Sequence, residues 1–271
     1  AILREHLPRA VDLLADIVFG SIYPQAEIDK EIEVICDEIE CYNDSPAELI
    51  YDQFENMVFE GHALGHNILG TAERLRQYTT ADALRFTSRF YRPDNAVFFA
   101  YGDIGFDRLV RLLEKATAGS GPAMPRRSDD SGGTLPGYRP RELTVERGTH
   151  QAHVMIGNRA YDAHDRRRHA LYLMNNMLGG PGMNARLNIA LREKHGLVYT
   201  VDSSMVSYSD TGLWCLYFGC DPKDVRKCRR LVARELERMA VRPLSATALA
   251  AAKRQIKGQI GVACDNRESF A

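Results

Sequence analysis

The 271-residue sequence lacks a run of about 18 uninterrupted apolar residues, the length that a membrane-spanning helix requires. Its six cysteines never form the C-x-x-C pairs that are typical of zinc knuckles and redox sites. Scattered thiols favour a reducing compartment, so we expect the cytoplasm rather than the periplasm. Neither sign of charge is in excess, because 35 basic and 36 acidic residues leave a net charge of −1. This balance argues against nucleic acid and against membranes as partners.

What the chain does contain is the composition of a globular protein, with 45% apolar and 26% charged residues. Residues 119–141 differ, because Gly, Ser, Pro and charged residues dominate there and cannot bury enough apolar surface to become ordered. We therefore predict a linker at 119–141, between a first domain at residues 1–118 and a second domain at residues 142–271.

Helices and strands are predicted in a similar order on both sides of this linker. In the first domain, apolar spacing predicts helices at 7–19, 26–41, 80–91 and 106–118, another from residue 46, and a strand at 95–101. In the second, it predicts strands at 143–146, 153–157, 198–206 and 211–218, and helices at 167–178, 222–239 and from residue 245. The order indicates an α+β class, with two related domains that each pack helices on a mainly antiparallel sheet. Both domains are expected to be truncated.

Residues 178–199 are the most informative stretch, because a glycine-rich turn is followed there by an amphipathic helix and a strand. Three glycines around a proline suit a sharp turn with positive φ: Gly179, Gly180 and Gly182. Apolar spacing predicts the helix at 185–194, which Gly196 ends. The stretch also carries a cation at Arg192 and a phenol at Tyr199. Taken alone, these residues are either a helix-surface cation and a buried strand tyrosine, or groups that contact a ligand.

Two glutamates of the helix at 26–41 share one face. At about 100° per residue, Glu31 and Glu38 lie two turns apart at the edge of an isoleucine stripe. Three other acids point to the opposite side: Glu33, Asp37 and Glu40. A carboxylate beside a core can be held in the fixed geometry that a metal ligand needs, although such a pair is otherwise a solvated helix flank.

Two histidines, His62 and His66, have the i, i+4 spacing of a zinc-binding helix. The residues between them include no glutamate, and Gly61 and Gly65 disfavour a helix. We interpret this segment as a structural loop and assign no metal ligand to it.

Residues 178–199 resemble the second-domain signature of the insulinase and pitrilysin family of zinc peptidases, the inverzincins, which includes the mitochondrial processing peptidases. The segment 31–38 resembles the glutamate helix of that family. Residues 90–97 resemble a helix exit into a strand that is typical of these peptidases. The ordered matches extend over nearly the whole chain, from about residue 7 to the last helix.

The resemblance implies roles for four residues. Glu38 would be the third protein ligand of zinc, and Glu31 would support the chemistry. Arg192 and Tyr199 would contact the substrate, by donating to a peptide carbonyl or to the developing oxyanion. The other ligands and the general base come from an H-x-x-E-H motif, which this sequence lacks and which the family places before Ala1. We therefore expect a fragment that neither binds catalytic zinc nor hydrolyses peptides by itself.

For the intact protein, the resemblance implies a zinc-dependent metalloendopeptidase that hydrolyses peptides or small unfolded proteins. Zinc would polarise the scissile carbonyl, and the substrate would add to a strand edge of the first domain. The implied partners are a peptide substrate and either a second copy, as a homodimer, or a second half-chain. The alternative is a non-catalytic paralogue that binds peptides or serves as a scaffold, and the upstream H-x-x-E-H motif would decide between the two.

Overall fold

The computed structural model describes residues 1–119 and 135–265. The helices are α1 Leu7–Phe19, α2 Gln25–Asn43, α3 Pro46–Val58, α4 Ala72–Leu75, α5 Thr80–Phe90, α6 Phe106–Thr117, α7 Arg168–Gly179, α8 Val225–Val241 and α9 Ala246–Ala263. A π-helix spans Asn188–Glu193, and the strands are β1 Ala152–Ala160, β2 Val198–Ser207 and β3 Gly212–Cys220. Most of the predicted linker, residues 120–134, lies outside the described residues.

Contacts within the chain divide it into two compact units. Residues 1–40 and 69–119 form most of the first unit, and residues 41–68 and 135–263 form the second. This grouping assigns α3 to the second unit. The domain limits that the sequence indicates stay a prediction.

The first unit is helical in its described part. Helix α1 packs on α6 through a small core in which Leu7, Val11 and Leu109 are buried. The strand predicted at residues 95–101 is wrong, because no strand is assigned there and Val97 is 98% exposed. A run of apolar and aromatic residues becomes a strand only when a neighbouring strand pairs with its backbone, and the described residues supply none.

The second unit contains an antiparallel sheet with strand order β1-β3-β2. All nine residues of the central strand β3 are buried, because both faces of the sheet are covered. Alternate residues such as Leu216 and Phe218 face α7, α8 and the π-helix, whereas Leu213 and Cys215 face Phe54 of α3. This arrangement of helices on an antiparallel sheet confirms the predicted α+β class.

The strands predicted at 153–157, 198–206 and 211–218 are confirmed as β1, β2 and β3. The strand predicted at 143–146 is wrong, since that segment has no strand assignment. The residue that follows this segment, Arg147, is held by a side-chain hydrogen bond rather than by strand pairing. Arg147 donates to the Asn43 carbonyl across 2.9 Å, outside any sheet ladder.

All six cysteines are free thiols. Within residues 1–119 and 135–265, no helix combines the length and the apolar character that crossing a membrane requires.

Candidate functional site

A cavity of about 400 Å³ lies in the second unit, at the end of α7. The cavity is lined by Tyr172, Asn175 and Asn176 of α7, the glycine turn at 179–183, Asn188 and Arg192 of the π-helix, and residues 201–203 of β2. Part of the stretch that stands out in the sequence, from Gly179 to Arg192, therefore contributes to this cavity.

The glycine turn is built for close approach rather than for unusual backbone angles. A Cβ atom on Gly179 would lie 2.7 Å from both the Cβ and the backbone nitrogen of Ser203, so only glycine lets α7 come this close to β2. The positive φ predicted for the turn glycines is wrong, since φ is −65° at Gly180. The left-handed glycine of the stretch is Gly196, with a φ of +57°, three residues after the end of the π-helix at Glu193.

A buried asparagine, Asn175, fixes the floor of the cavity. Its amide nitrogen donates to the Ser203 carbonyl across 2.9 Å, and its side-chain oxygen accepts from the Trp214 indole across 3.0 Å and from the Ser203 hydroxyl. These bonds tie α7 to β2 and β3, and buried polar groups that are fully bonded in this way favour a single arrangement. The sequence offers a signal for Asn175, because it shares the apolar helix face of Leu171 and Leu178.

Arg192 is an exposed cation in the wall of the cavity. The helix predicted at 185–194 is present, but residues 188–193 take the wider π-helical turn, with Leu187 and Leu191 fully buried beneath it. The guanidinium of Arg192 makes no hydrogen bond or ion pair with the residues that the structure describes. It can therefore donate to a ligand without first breaking another bond.

Tyr199 sits at a β-bulge. Val198 pairs with Cys220 and Thr200 with Gly219, so Tyr199 is the extra residue of β2. Bulges redirect side chains, and the side chain of Tyr199 is 60% exposed. One of the two interpretations of this residue, a buried strand tyrosine, is therefore wrong. Its hydroxyl donates to Asp221 Oδ1 across 3.3 Å. Tyr199 does not line the cavity that Arg192 lines.

A second polar layer lies on the opposite face of the sheet, beneath α3. The Tyr51 hydroxyl donates to Asp202 Oδ2 across 3.5 Å, and His153 Nδ1 lies 2.8 Å from the Tyr217 hydroxyl. Burial raises the pKa of the Asp202 carboxyl, and burial together with Asp202 raises the pKa of Tyr51. Burial lowers the pKa of His153. Tyr51 thereby connects α3 to β2, and His153 connects β1 to β3. Nothing in the local sequence pattern identifies these groups, because their partners are distant along the chain.

Glu31 and Glu38 belong to the first unit. Both are exposed on α2, and neither makes a hydrogen bond or ion pair with a described residue. The outward-facing Glu33 instead lies 3.6 Å from the Nε of Arg76. All five of these acids are exposed, so the structure does not separate the two predicted faces of α2, and the roles of Glu31 and Glu38 stay a prediction.

The described parts of the chain contain no group of three or more His, Cys, Asp or Glu side chains that could hold a metal ion. Catalytic zinc takes three protein ligands, so these residues do not suffice for a zinc site, although the free carboxylate of Glu38 is a suitable single ligand.

His62 is buried and accepts from the Leu64 N–H across 3.3 Å, with its Nε2 lying 3.4 Å from Asp210 Oδ2. No helix is assigned at His62 or at the exposed His66, which agrees with the interpretation of this segment as a loop.

Two family models match this chain. The model described as the peptidase M16 inactive domain matches residues 77–256, which is more than half of the chain, and the insulinase model of peptidase family M16 matches residues 1–72. The chain belongs to the M16 insulinase family. The resemblance found in the sequence is thereby confirmed.

Curated relatives include an uncharacterized zinc protease of Streptomyces coelicolor, 32% identical over 261 residues, covering 95% of this chain and 57% of the relative. Another, from Bacillus subtilis, is 30% identical over 268 residues, covering 99% of this chain and 64% of the relative. The M16 chain therefore spans about three fifths of the length of these relatives.

Solved structures share the fold. A peptidase M16 inactive domain from Pseudomonas fluorescens has a TM-score of 0.80 at 22% identity, covering 92% of this chain and 60% of that one. A protease from Helicobacter pylori has a TM-score of 0.86 at 18% identity, covering 99% and 66% respectively. At these identities the likeness is one of fold alone.

Proposed function

We propose that the full-length protein is a zinc-dependent metalloendopeptidase that hydrolyses peptides or small unfolded proteins. Its family is one of peptidases, and its curated relatives are named zinc proteases. The observation that carries the proposal is Arg192, whose guanidinium has no bonding partner among the described residues and lies in the wall of a cavity whose floor is fixed by the hydrogen bonds of Asn175.

Arg192 and Tyr199 act as donors to the substrate. A guanidinium and a phenol can both donate to a peptide carbonyl, and more strongly to the oxyanion that develops during hydrolysis. Arg192 has no competing partner among the described residues. The long 3.3 Å bond from Tyr199 to Asp221 can be exchanged for a substrate carbonyl at small cost.

Glu38 supplies one carboxylate ligand to zinc, and Glu31 supports the chemistry from the same face of α2. Zinc, when bound, acidifies a water molecule and polarises a carbonyl. The sequence has no H-x-x-E-H motif, so the remaining ligands must come from residues outside this sequence. A partner that helps to enclose the peptide, either a second copy or a second half-chain, is part of the proposal.

The test uses the full-length protein and a quenched fluorescent peptide without stable structure. We expect about one zinc per chain, cleavage of the peptide, loss of cleavage in a chelator, and recovery when zinc is added back. The 271-residue chain serves as the matched control and should show neither stoichiometric zinc nor cleavage. A full-length protein that cleaves equally well in the chelator would contradict the proposal.

A second candidate is a non-catalytic paralogue that binds peptides or acts as a scaffold. The model that matches residues 77–256 is described as an inactive domain, which favours this candidate for that part of the chain. The same experiment separates the two. A paralogue would bind the peptide in a fluorescence titration without cleaving it, whereas Glu31, Glu38, Arg192 and Tyr199 on one chain favour the active enzyme.

A further inference from the structure

A strongly basic surface covers the exposed side of α8. The helix carries six basic and two acidic residues, a net charge of +4, in a chain whose net charge is −1. Four exposed cations make no ion pair or hydrogen bond with the described residues: Arg226, Lys227, Arg230 and Arg234. The buried face of α8 lies opposite them and packs in the sheet core.

Nearby acids compensate only part of this charge. Within α8, Glu235 pairs with Arg238 across 2.8 Å. Glu142 pairs with Arg229 across 2.6 Å, and Asp221 lies 3.4 Å from Lys223. The cations also crowd the first turns of α8, where the helix dipole is positive as well. An anionic ligand at this end would be attracted by the helix dipole and by the guanidinium groups together.

A groove of about 670 Å³ lies along this end of α8. Its lining combines the cations Arg226, Arg229 and Arg230 with the apolar side chains of Val225 and Ala233. The lining residues that the structure describes include no aromatic ring. Single-stranded nucleic acid is typically held by stacking on such rings, so a polypeptide is the better match for this groove.

The spacing of the arginines also fits a polypeptide. Arg226 and Arg230 are four residues apart, which corresponds to a rise of about 6 Å along a helix. Alternate side chains of an extended peptide repeat at about 6.6 Å on one side. Each guanidinium can bind a carboxylate through two parallel hydrogen bonds.

We propose that the groove on α8 binds an extended acidic polypeptide segment, with alternate Glu or Asp carboxylates paired to Arg226 and Arg230. The apolar side chains of Val225 and Ala233 contact the stems of the bound residues. This interaction requires neither zinc nor hydrolysis, so it stands independently of the proposed enzymatic activity.

The test measures fluorescence anisotropy of a labelled hexaglutamate peptide titrated with the 271-residue chain. We expect saturable binding that weakens as salt rises, and an affinity about tenfold lower for the double variant Arg226→Gln/Arg230→Gln. The matched control is Lys253→Gln/Lys257→Gln, which removes the same charge from exposed positions of α9. The control should bind like the unaltered chain. Circular dichroism melting confirms that each variant folds.

Three results would overturn the proposal. Equal weakening by the α8 and α9 variants would show that net charge, rather than the groove, attracts the peptide. Tighter binding of an oligothymidine of similar length would identify nucleic acid as the better ligand. Tighter binding to vesicles that contain anionic phosphatidylserine would identify a membrane surface instead.

Discussion

The acidic face of α2 and the wall of the glycine-turn cavity hold their polar groups in opposite ways. Glu31 and Glu38 are exposed on α2 and have no bonding partner among the described residues. At the cavity, Asn175 is buried and hydrogen-bonded to two strands. These bonds fix the floor of the cavity whose wall includes Arg192 and the glycine turn.

This difference shows where each part of the proposed site obtains its geometry. The cavity wall is shaped by packing within the second unit, so a change to its buried residues should affect folding first. The carboxylates of α2 contribute little to folding, so a change there should affect only what binds to them. Arg192 and Tyr199 share features of both regions. Their side chains are exposed, like the acids of α2, but they lie on the packed π-helix and on β2.

The largest expected effect on stability comes from Gly179→Ala. Its added Cβ would lie 2.7 Å from atoms of Ser203, so α7 and β2 must move apart, at a cost of about 3 kcal/mol in the free energy of unfolding. The matched control is Gly258→Ala in α9, where a Cβ would meet nothing within 4 Å. That control should gain up to about 1 kcal/mol, since alanine is the better helix former. Urea denaturation of both variants measures the contrast, and equal stabilities would rule out the close-packing role of Gly179.

Asn175→Ala is expected to cost about 2 kcal/mol, because the Trp214 indole and the Ser203 carbonyl would be left buried without a partner. The neighbouring Asn176→Ala is the control, since the Asn176 side chain makes no hydrogen bond with the described residues. Thermal melting of the two variants checks this prediction. Similar melting temperatures would mean that the buried bonds of Asn175 do not hold the cavity floor.

A smaller effect is expected on the pH dependence of stability. The pKa of Asp202 is raised by burial, so the folded state binds the proton more tightly than the unfolded state. Its contribution to stability is therefore full below the ordinary carboxyl pKa and is lost as the pH rises through the raised folded pKa. Asp202→Asn should flatten the curve of unfolding free energy against pH in that window. If the unfolding free energy of Asp202→Asn changed with pH as steeply as that of the unaltered chain, this prediction would be contradicted.

The smallest expected effect on folding is that of Glu31→Gln and Glu38→Gln, which should each change the free energy of unfolding by less than about 0.5 kcal/mol. In the full-length protein, Glu38→Gln should nevertheless lose zinc, because a neutral amide is a poor ligand for a divalent cation. Urea denaturation and zinc analysis measure the two quantities separately. Strong destabilisation by either variant would show that the acids serve the fold.

The sequence predicts most helices and all three strands of the sheet. Their apolar residues repeat with a period that depends on whether one face or both faces of the element are buried. It fails at residues 95–101 and 143–146, where strand-forming residues have no pairing partner among the described residues. Pairing is a property of the whole sheet and is not encoded in a short window.

The site is predictable to a different degree. Arg192 and Tyr199 stand out through a family signature, but the sequence does not show that Arg192 lies on a π-helix, or that Tyr199 lies at a β-bulge, which depends on the register of β2 against β3. The partners of Asp202 and Asn175 come from elements distant in sequence, so no local pattern joins them. The glycine turn is conspicuous in sequence, yet Gly179 is required there by the approach of Ser203 rather than by a positive φ.

The most direct test of the central claim is the turnover of Arg192→Ala and Tyr199→Phe in the full-length protein, with zinc content measured on the same samples. Each variant should fold and keep its zinc, because both side chains are exposed and lie in the second unit. The loss of one donor to the transition state is expected to lower kcat about a hundredfold, or about 3 kcal/mol. Variants that fold normally and leave kcat and KM unchanged would contradict the assignment of Arg192 and Tyr199 as substrate-contacting residues.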